Sequence, residues 1–190
     1  MHKGLEKFNN LVEAFELLPT IGKKSALRLA YYIVTENSYT GMRLSHSIET
    51  AIRDVRKCIQ CHSMSEHEVC EICLDHNRNN GILCIVQSAK DIFILEESKQ
   101  FKGKYFVIES LDDSIIKDLM TIVQTQSINK ILFAVTPSIA NDAFILYIED
   151  KLQNQNISFT KIAQGIPTGV SLENVDLLSL SKAIHGQISV

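Results

Sequence analysis

The sequence predicts an α/β protein: a parallel sheet covered by helices in its C-terminal part, preceded by an all-α region and a knuckle held by four cysteines. Three observations predict it. Apolar residues recur at helical spacing through the first 55 positions, Cys58, Cys61, Cys70 and Cys73 form two Cys-x2-Cys pairs, and from Ile82 onward short apolar runs alternate with longer amphipathic ones.

Leu5, Phe8, Leu11, Val12, Phe15 and Leu18 lie on one helical face, and Pro19 then ends the pattern. After the short link Pro19-Thr-Ile-Gly22, a second helix reads through Ala26, Leu29, Ala30, Ile33 and Val34, and a third through Leu44, Ile48, Ala51, Ile52 and Val55. The first 57 residues are therefore helix, tight turn, helix, helix. Within them the segment Leu18-Pro-Thr-Ile-Gly-Lys-Lys-Ser-Ala26 has the form of a helix-hairpin-helix, in which a Gly-containing turn and the next helix N-terminus face a phosphate. Gly22 is expected to supply the turn, and Lys23, Lys24 and Arg28 the charge beside it. Such a site holds DNA without reading its sequence. A plain helical hairpin with solvated lysines accounts for the same residues. A nucleotide-binding P-loop does not, because no glycine stands five residues before Gly22 and a helix precedes it.

Two Cys-x2-Cys pairs separated by eight residues can each wrap one side of a tetrahedral ion. Four thiolates leave no open position for water, so one structural zinc per chain is expected at Cys58, Cys61, Cys70 and Cys73, although iron suits the same donors. His62, His67 and His76 are read as solvated loop residues. Cys84, inside an apolar run, reads as a small core residue.

Ile82–Val86, Tyr105–Ile108, Ile131–Val135 and Ile157–Ile162 read as strands with helical patterns between them, which indicates βαβ units. The resulting division is 1–57 helical, 58–79 knuckle, 80–165 α/β and 166–190 a C-terminal segment. No apolar run approaches the ~20 residues of a membrane span. The first residues lack the apolar stretch of a secretory signal, so a cytoplasmic location is expected, where paired cysteines favour metal over disulfide. Net charge is −3, but it is unevenly spread: residues 1–57 carry nine Lys/Arg against six Asp/Glu, and the remainder ten against sixteen. A polyanion should meet the N-terminal third.

Taken in order, the helix-hairpin-helix, the four-cysteine knuckle and the α/β part resemble the RecR family of recombination mediator proteins over essentially the whole chain. The resemblance rests on Leu18 to Ala30, on Cys70-Glu-Ile-Cys73 with Asp75 and Arg78, and on Gly165-Ile-Pro-Thr-Gly169 with Leu172, Glu173 and Asp176. It implies that the α/β part is a Toprim-like domain and that the C-terminal segment packs on it and on a neighbouring subunit. It also implies a homodimer or a ring-shaped tetramer, and a non-enzymatic role in DNA repair. In that role the protein works with RecO-type and RecF-type proteins to load RecA recombinase onto DNA.

The chain departs from the family pattern at informative places. Helix-hairpin-helix turns often read Gly-Ile-Gly, whereas Thr20 holds the first position here. Toprim enzymes place a glutamate after the first strand and an acidic cluster after a later one, to hold Mg²⁺ during phosphoryl transfer. This chain has Gln87 at the first place and Ala140-Asn141 where RecR proteins usually have Glu and Gly, and it retains Asp91 and Asp142 as a vestigial acidic site or partner contact. Glu109-Ser-Leu-Asp-Asp113 replaces the usual Gly-Gly and Ser-Pro after the second strand. A Mg²⁺-dependent Toprim nuclease or topoisomerase, and a zinc-ribbon interaction module without a DNA role, are the competing readings. The neutral Gln87 argues against the first and the basic N-terminal third against the second.

Overall fold

The computed structural model describes residues 4–163, 165, 166 and 169–185, apart from the side chains of Leu178 and His185. Pro167 and Thr168 of the C-terminal signature lie outside the described residues, as do the last five positions of the C-terminal segment. The chain falls into two units, Met1–Val55 and Arg56–Val190.

In the first unit, α1 (Glu6–Glu16) and α2 (Lys23–Tyr31) pack against each other. Ala26 and Ala30, one helical turn apart, are fully buried and form with Val12 a small core ringed by Phe8, Leu11, Phe15 and Ile21. Small side chains at i and i+4 let two helices approach closely. The periodicity suggests one α-helix as far as Val34, but Tyr32–Glu36 form a π-helical turn closed by the Asn37 N–H donating to the Tyr32 carbonyl at 2.8 Å. The β-branched run Ile33-Val34-Thr35 is the local cause: it crowds an α-helical turn, and the Thr35 hydroxyl donates to the Tyr31 carbonyl at 2.6 Å.

Asn37 then caps α3 (Ser38–Asp54), its Oδ1 accepting from the Thr40 N–H at 2.9 Å. Gly41 is required by close packing, since a Cβ there would lie 2.2 Å from Ile33 Cγ2. α3 contains no buried residue. Leu44, Ile48 and Ile52, the stripe that reads as a core face, are exposed.

The second unit opens with the antiparallel pair β1 (Arg56–Lys57) and β2 (Met64–Ser65), the short helix α4 (Glu71–Leu74) and a 3-10 turn at His76–Arg78. The parallel sheet follows: β3 (Ile82–Val86), β4 (Lys104–Val107), β5 (Lys130–Phe133) and β6 (Ser158–Lys161), in the order β4-β3-β5-β6. Cys84 stands opposite Tyr105 on one side and Leu132 on the other, and Leu132 opposite Thr160.

Side chains alternate between the faces of a strand, so each face has its own core. Leu83, Ile85, Phe106, Ile131 and Phe133 pack beneath α6 (Asp113–Thr125) and α7 (Ile139–Leu152). Cys84, Val86, Tyr105 and Val107 pack with Ala89 and Ile92 of α5 (Ala89–Ser98) and with Ile72 of α4. Cys84 is thus the core residue expected, with burial pushing its thiol up to about 12. α8 (Leu177–His185) follows a 3-10 turn at Leu172–Asn174.

Candidate nucleic-acid interface and metal centre

The N-terminus of α2 is bare. Gly22 is its N-cap and offers no side chain to the first turn, so the amides there remain available to an external acceptor. Lys23, Lys24 and Arg28 are exposed, and none pairs with a carboxylate among the described residues. Lys24 and Arg28 are four apart on one face, where like charges repel and cost a few tenths of a kcal/mol. An anion held there would relieve that repulsion.

Gly22 does not play the part expected of it in the turn. Its backbone is extended (φ −88°, ψ 167°), and a Cβ would meet nothing within 4 Å. The left-handed residue is Thr20, with φ +68°. A β-branched side chain in that region is strained, which explains in physical terms why glycine suits this position. The contribution of Gly22 is instead to keep the approach to the helix terminus open.

The metal centre draws on three short elements. Cys58 follows β1, Cys61 lies in the turn toward β2, Cys70 is the N-cap of α4, and Cys73 lies within it. All four are buried, and their sulfurs lie within 4.8 Å of one another, with Cys61 and Cys70 Sγ 3.5 Å apart. A tetrahedral ion with Zn–S bonds of about 2.3 Å needs sulfurs about 3.8 Å apart, so the donor set fits zinc. The Cys70 N–H donates to Cys58 Sγ at 3.3 Å, a bond that favours thiolate at that sulfur. Four thiolates at this spacing require a cation between them.

The knuckle is fastened to the sheet at several points. The Cys61 carbonyl accepts from the Val107 N–H at 2.9 Å, and the Cys73 carbonyl from Lys104 Nζ at 3.0 Å. Arg78 donates to both oxygens of Glu96 and to the Gly103 carbonyl, and the Tyr105 hydroxyl donates to Glu96 Oε1 at 2.6 Å. Burial pushes the Glu96 carboxyl up, but the bonds from Arg78 and Tyr105 prevail and hold it below its usual range. His67 and His76 are exposed, as expected. His62 is not a free loop residue: it pairs with Asp118 of α6 at 3.2 Å and its ring packs on Phe106.

Asp91 and Asp142 lie in the first turns of α5 and α7, just beyond the carboxyl ends of β3 and β5, where the strand order reverses and open α/β sheets usually bind ligands. A cleft of about 650 Å³ opens there, lined by Gln87, Asp91, Thr136, Pro137, Asp176 and Lys182 among others. Several polar groups in it and beside it are held in local bonds. Gln87 Nε2 donates to Asn141 Oδ1 at 2.7 Å, and Asn141 Nδ2 to the Thr136 carbonyl at 2.7 Å. Asp91 closes a capping box with Ser88, accepting from its N–H at 3.1 Å, and Asp142 pairs with Lys161 at 3.2 Å. The structure therefore brings Gln87 and Asn141 together but leaves Asp91 and Asp142 in separate local contacts. The sequence marks these residues singly, marks Thr20 as a departure from Gly-Ile-Gly without giving it the left-handed turn, and does not mark Glu96 or Lys104; a lysine heading an apolar run was the one available sign of the last.

Comparison with known proteins agrees with this construction. The family model for the RecR helix-hairpin-helix matches residues 8–52, and that for the RecR four-cysteine zinc finger domain matches residues 55–75. The chain is 55% identical over 185 residues to the recombination protein RecR of Campylobacter jejuni subsp. jejuni serotype O:23/36 (strain 81-176), covering 97% of each chain. It is 50% identical to that of a Nitratiruptor species over 186 residues and 98% of each chain. To that of Helicobacter pylori (strain Shi470) it is 45% identical over 184 residues, 97% of this chain and 95% of the relative.

Proposed function

Because this chain belongs to the RecR family of recombination proteins, we propose that it is a non-enzymatic DNA-binding mediator of recombinational repair. It acts in the cytoplasm as an oligomeric clamp and adaptor that works with RecO-type and RecF-type proteins to help load RecA. The observation that carries this reading is the uncapped α2 N-terminus, flanked by Lys23, Lys24 and Arg28 without carboxylate partners among the described residues. Amides and cations at one helix end hold phosphate without reading bases, so the affinity is independent of sequence and falls steeply with salt.

One copy offers few contacts. Assembly into a dimer or ring multiplies them at high effective concentration. The exposed apolar stripe of α3 supports such assembly, since a face of this kind ordinarily needs a cover. In this reading 1–57 is the DNA-facing and assembly region, 58–79 the zinc finger, 80–165 the Toprim-like domain, and 166–190 a segment reaching a neighbouring subunit. Asp91 and Asp142, tied into local bonds, serve the domain's own architecture or a partner contact rather than metal-assisted chemistry. No helix among the described residues is long and apolar enough to cross a membrane.

The test is a salt-dependent DNA titration. Lys23→Glu with Arg28→Glu should weaken binding to every duplex sequence alike and lower the slope of log K against log salt by about 0.9 per lost phosphate contact. Zinc content and oligomeric state must be those of the wild type. If affinity and slope are then unchanged, the helix-hairpin-helix is not the DNA site.

A further inference from the structure

Lys104 heads β4 and is 6% exposed. Its ammonium donates to the Cys73 carbonyl at 3.0 Å and pairs with no carboxylate among the described residues. Taken alone this is an unfavourable arrangement, because a buried charge without a counter-charge is costly and usually paired.

The residue whose carbonyl it bonds can supply the counter-charge. Cys73 is one of four buried cysteines whose sulfurs lie within 4.8 Å of one another. With a divalent ion bound, four thiolates and the ion sum to a dianion. That buried dianion is itself in need of a nearby cation.

We infer that Lys104 is a positioning residue of the zinc centre, whose buried ammonium compensates the charge of the zinc-bound thiolates and fixes the Cys73 backbone. It reaches the metal through Cys73 and is not a ligand. Groups hydrogen-bonded to metal ligands typically change metal affinity 10- to 100-fold when removed. Lys104 differs from such groups in that its charge, beyond the bond it makes, is what the centre requires.

Three variants of the full chain separate charge from bond. Lys104→Arg keeps a cation and donors, Lys104→Gln keeps a donor without charge, and Lys104→Met keeps neither. Each is loaded with zinc, checked by circular dichroism for wild-type secondary structure, and titrated with a competing zinc chelator. The Gln and Met variants should hold zinc at least ~10-fold more weakly than wild type, and Arg should recover most of the loss. With Co²⁺ in place of zinc, the thiolate-to-metal charge-transfer band should move to lower energy in Gln and Met and stay near wild type in Arg. Gln retaining zinc as wild type does would overturn the inference, because the bond would then suffice. Arg being as weak as Gln would overturn it too, because charge would not matter. Should Met fail to fold, the Gln and Arg comparison still decides.

Discussion

Gln87 Nε2 donates to Asn141 Oδ1 at 2.7 Å, joining the carboxyl end of β3 to the first turn of α7. A neutral amide pair thus stands where the resemblance to Toprim enzymes implies carboxylates. Since Asn141 Nδ2 is already committed to the Thr136 carbonyl, the orientation of the Asn141 amide is fixed.

Neither amide can act as a general base, and both bind Mg²⁺ poorly, so no strand cleavage or relaxation is expected with Mg²⁺ or Mn²⁺. Reproducible nicking that disappears in Asp142→Asn would show the reading to be wrong. Gln87→Glu sets a carboxylate against Asn141 Oδ1 and should cost about 1–2 kcal/mol of stability at neutral pH, measured by urea denaturation.

Thr20 carries strain that glycine would not. Thr20→Gly should stabilise the protein by about 1 kcal/mol, the gain in a left-handed position outweighing the greater freedom of unfolded glycine. Thermal melting of the two forms, each with zinc bound, measures it. An unchanged or lower midpoint would mean that the turn relaxes at Thr20.

One zinc per chain is expected on elemental analysis, because structural zinc contributes ~10–16 kcal/mol in small peptides and the knuckle's own buried core is its four cysteines. Cys70→Ser should lower both metal content and melting temperature. Iron, with a visible charge-transfer band, would contradict the assignment.

Glu96 gives a pH dependence with a definite sign. Its carboxyl sits below the ordinary value of 4.5, so the folded state binds its proton less readily than the unfolded chain does. The stability this contributes is present above that value and is lost as pH falls through the lower folded one. Glu96→Gln should therefore destabilise the protein at neutral pH, and the difference from wild type should shrink as pH falls below 4.5. A difference that stays constant through further acidification would remove the Arg78 pair as its cause.

β3 and β4 were legible because they are buried on both faces and read as apolar runs: Ile82–Val86 coincides with the reading residue for residue. β4 runs from Lys104 to Val107, and the Ile108 N–H still donates to the Val86 carbonyl at 2.9 Å, so the difference from Tyr105–Ile108 lies chiefly at Lys104, a buried lysine that hydropathy hides. Cysteine spacing located the metal centre in full, because two Cys-x2-Cys pairs leave a tetrahedral ion little choice of ligands. The helix-hairpin-helix was legible as a pattern, but the pattern gave the turn to Gly22, and only dihedral angles reveal that Thr20 bears it. The pairing of Gln87 with Asn141, 54 positions apart, has no local signature; topology alone brings them together.

The bond from the Val107 N–H to the Cys61 carbonyl has a consequence for strand addition. A parallel sheet has two margins, each a row of backbone groups that another chain can pair with. On the β4 margin, knuckle backbone already occupies the Val107 amide, and the Lys104 ammonium reaches across to Cys73 at the other end of the strand. On the β6 margin, the described residues place a neighbouring strand on one side only. Among the described residues the β6 margin, Ser158–Lys161, is thus the one to which no such backbone bond from the knuckle is made, and the metal that holds the knuckle also holds its bond to the β4 margin.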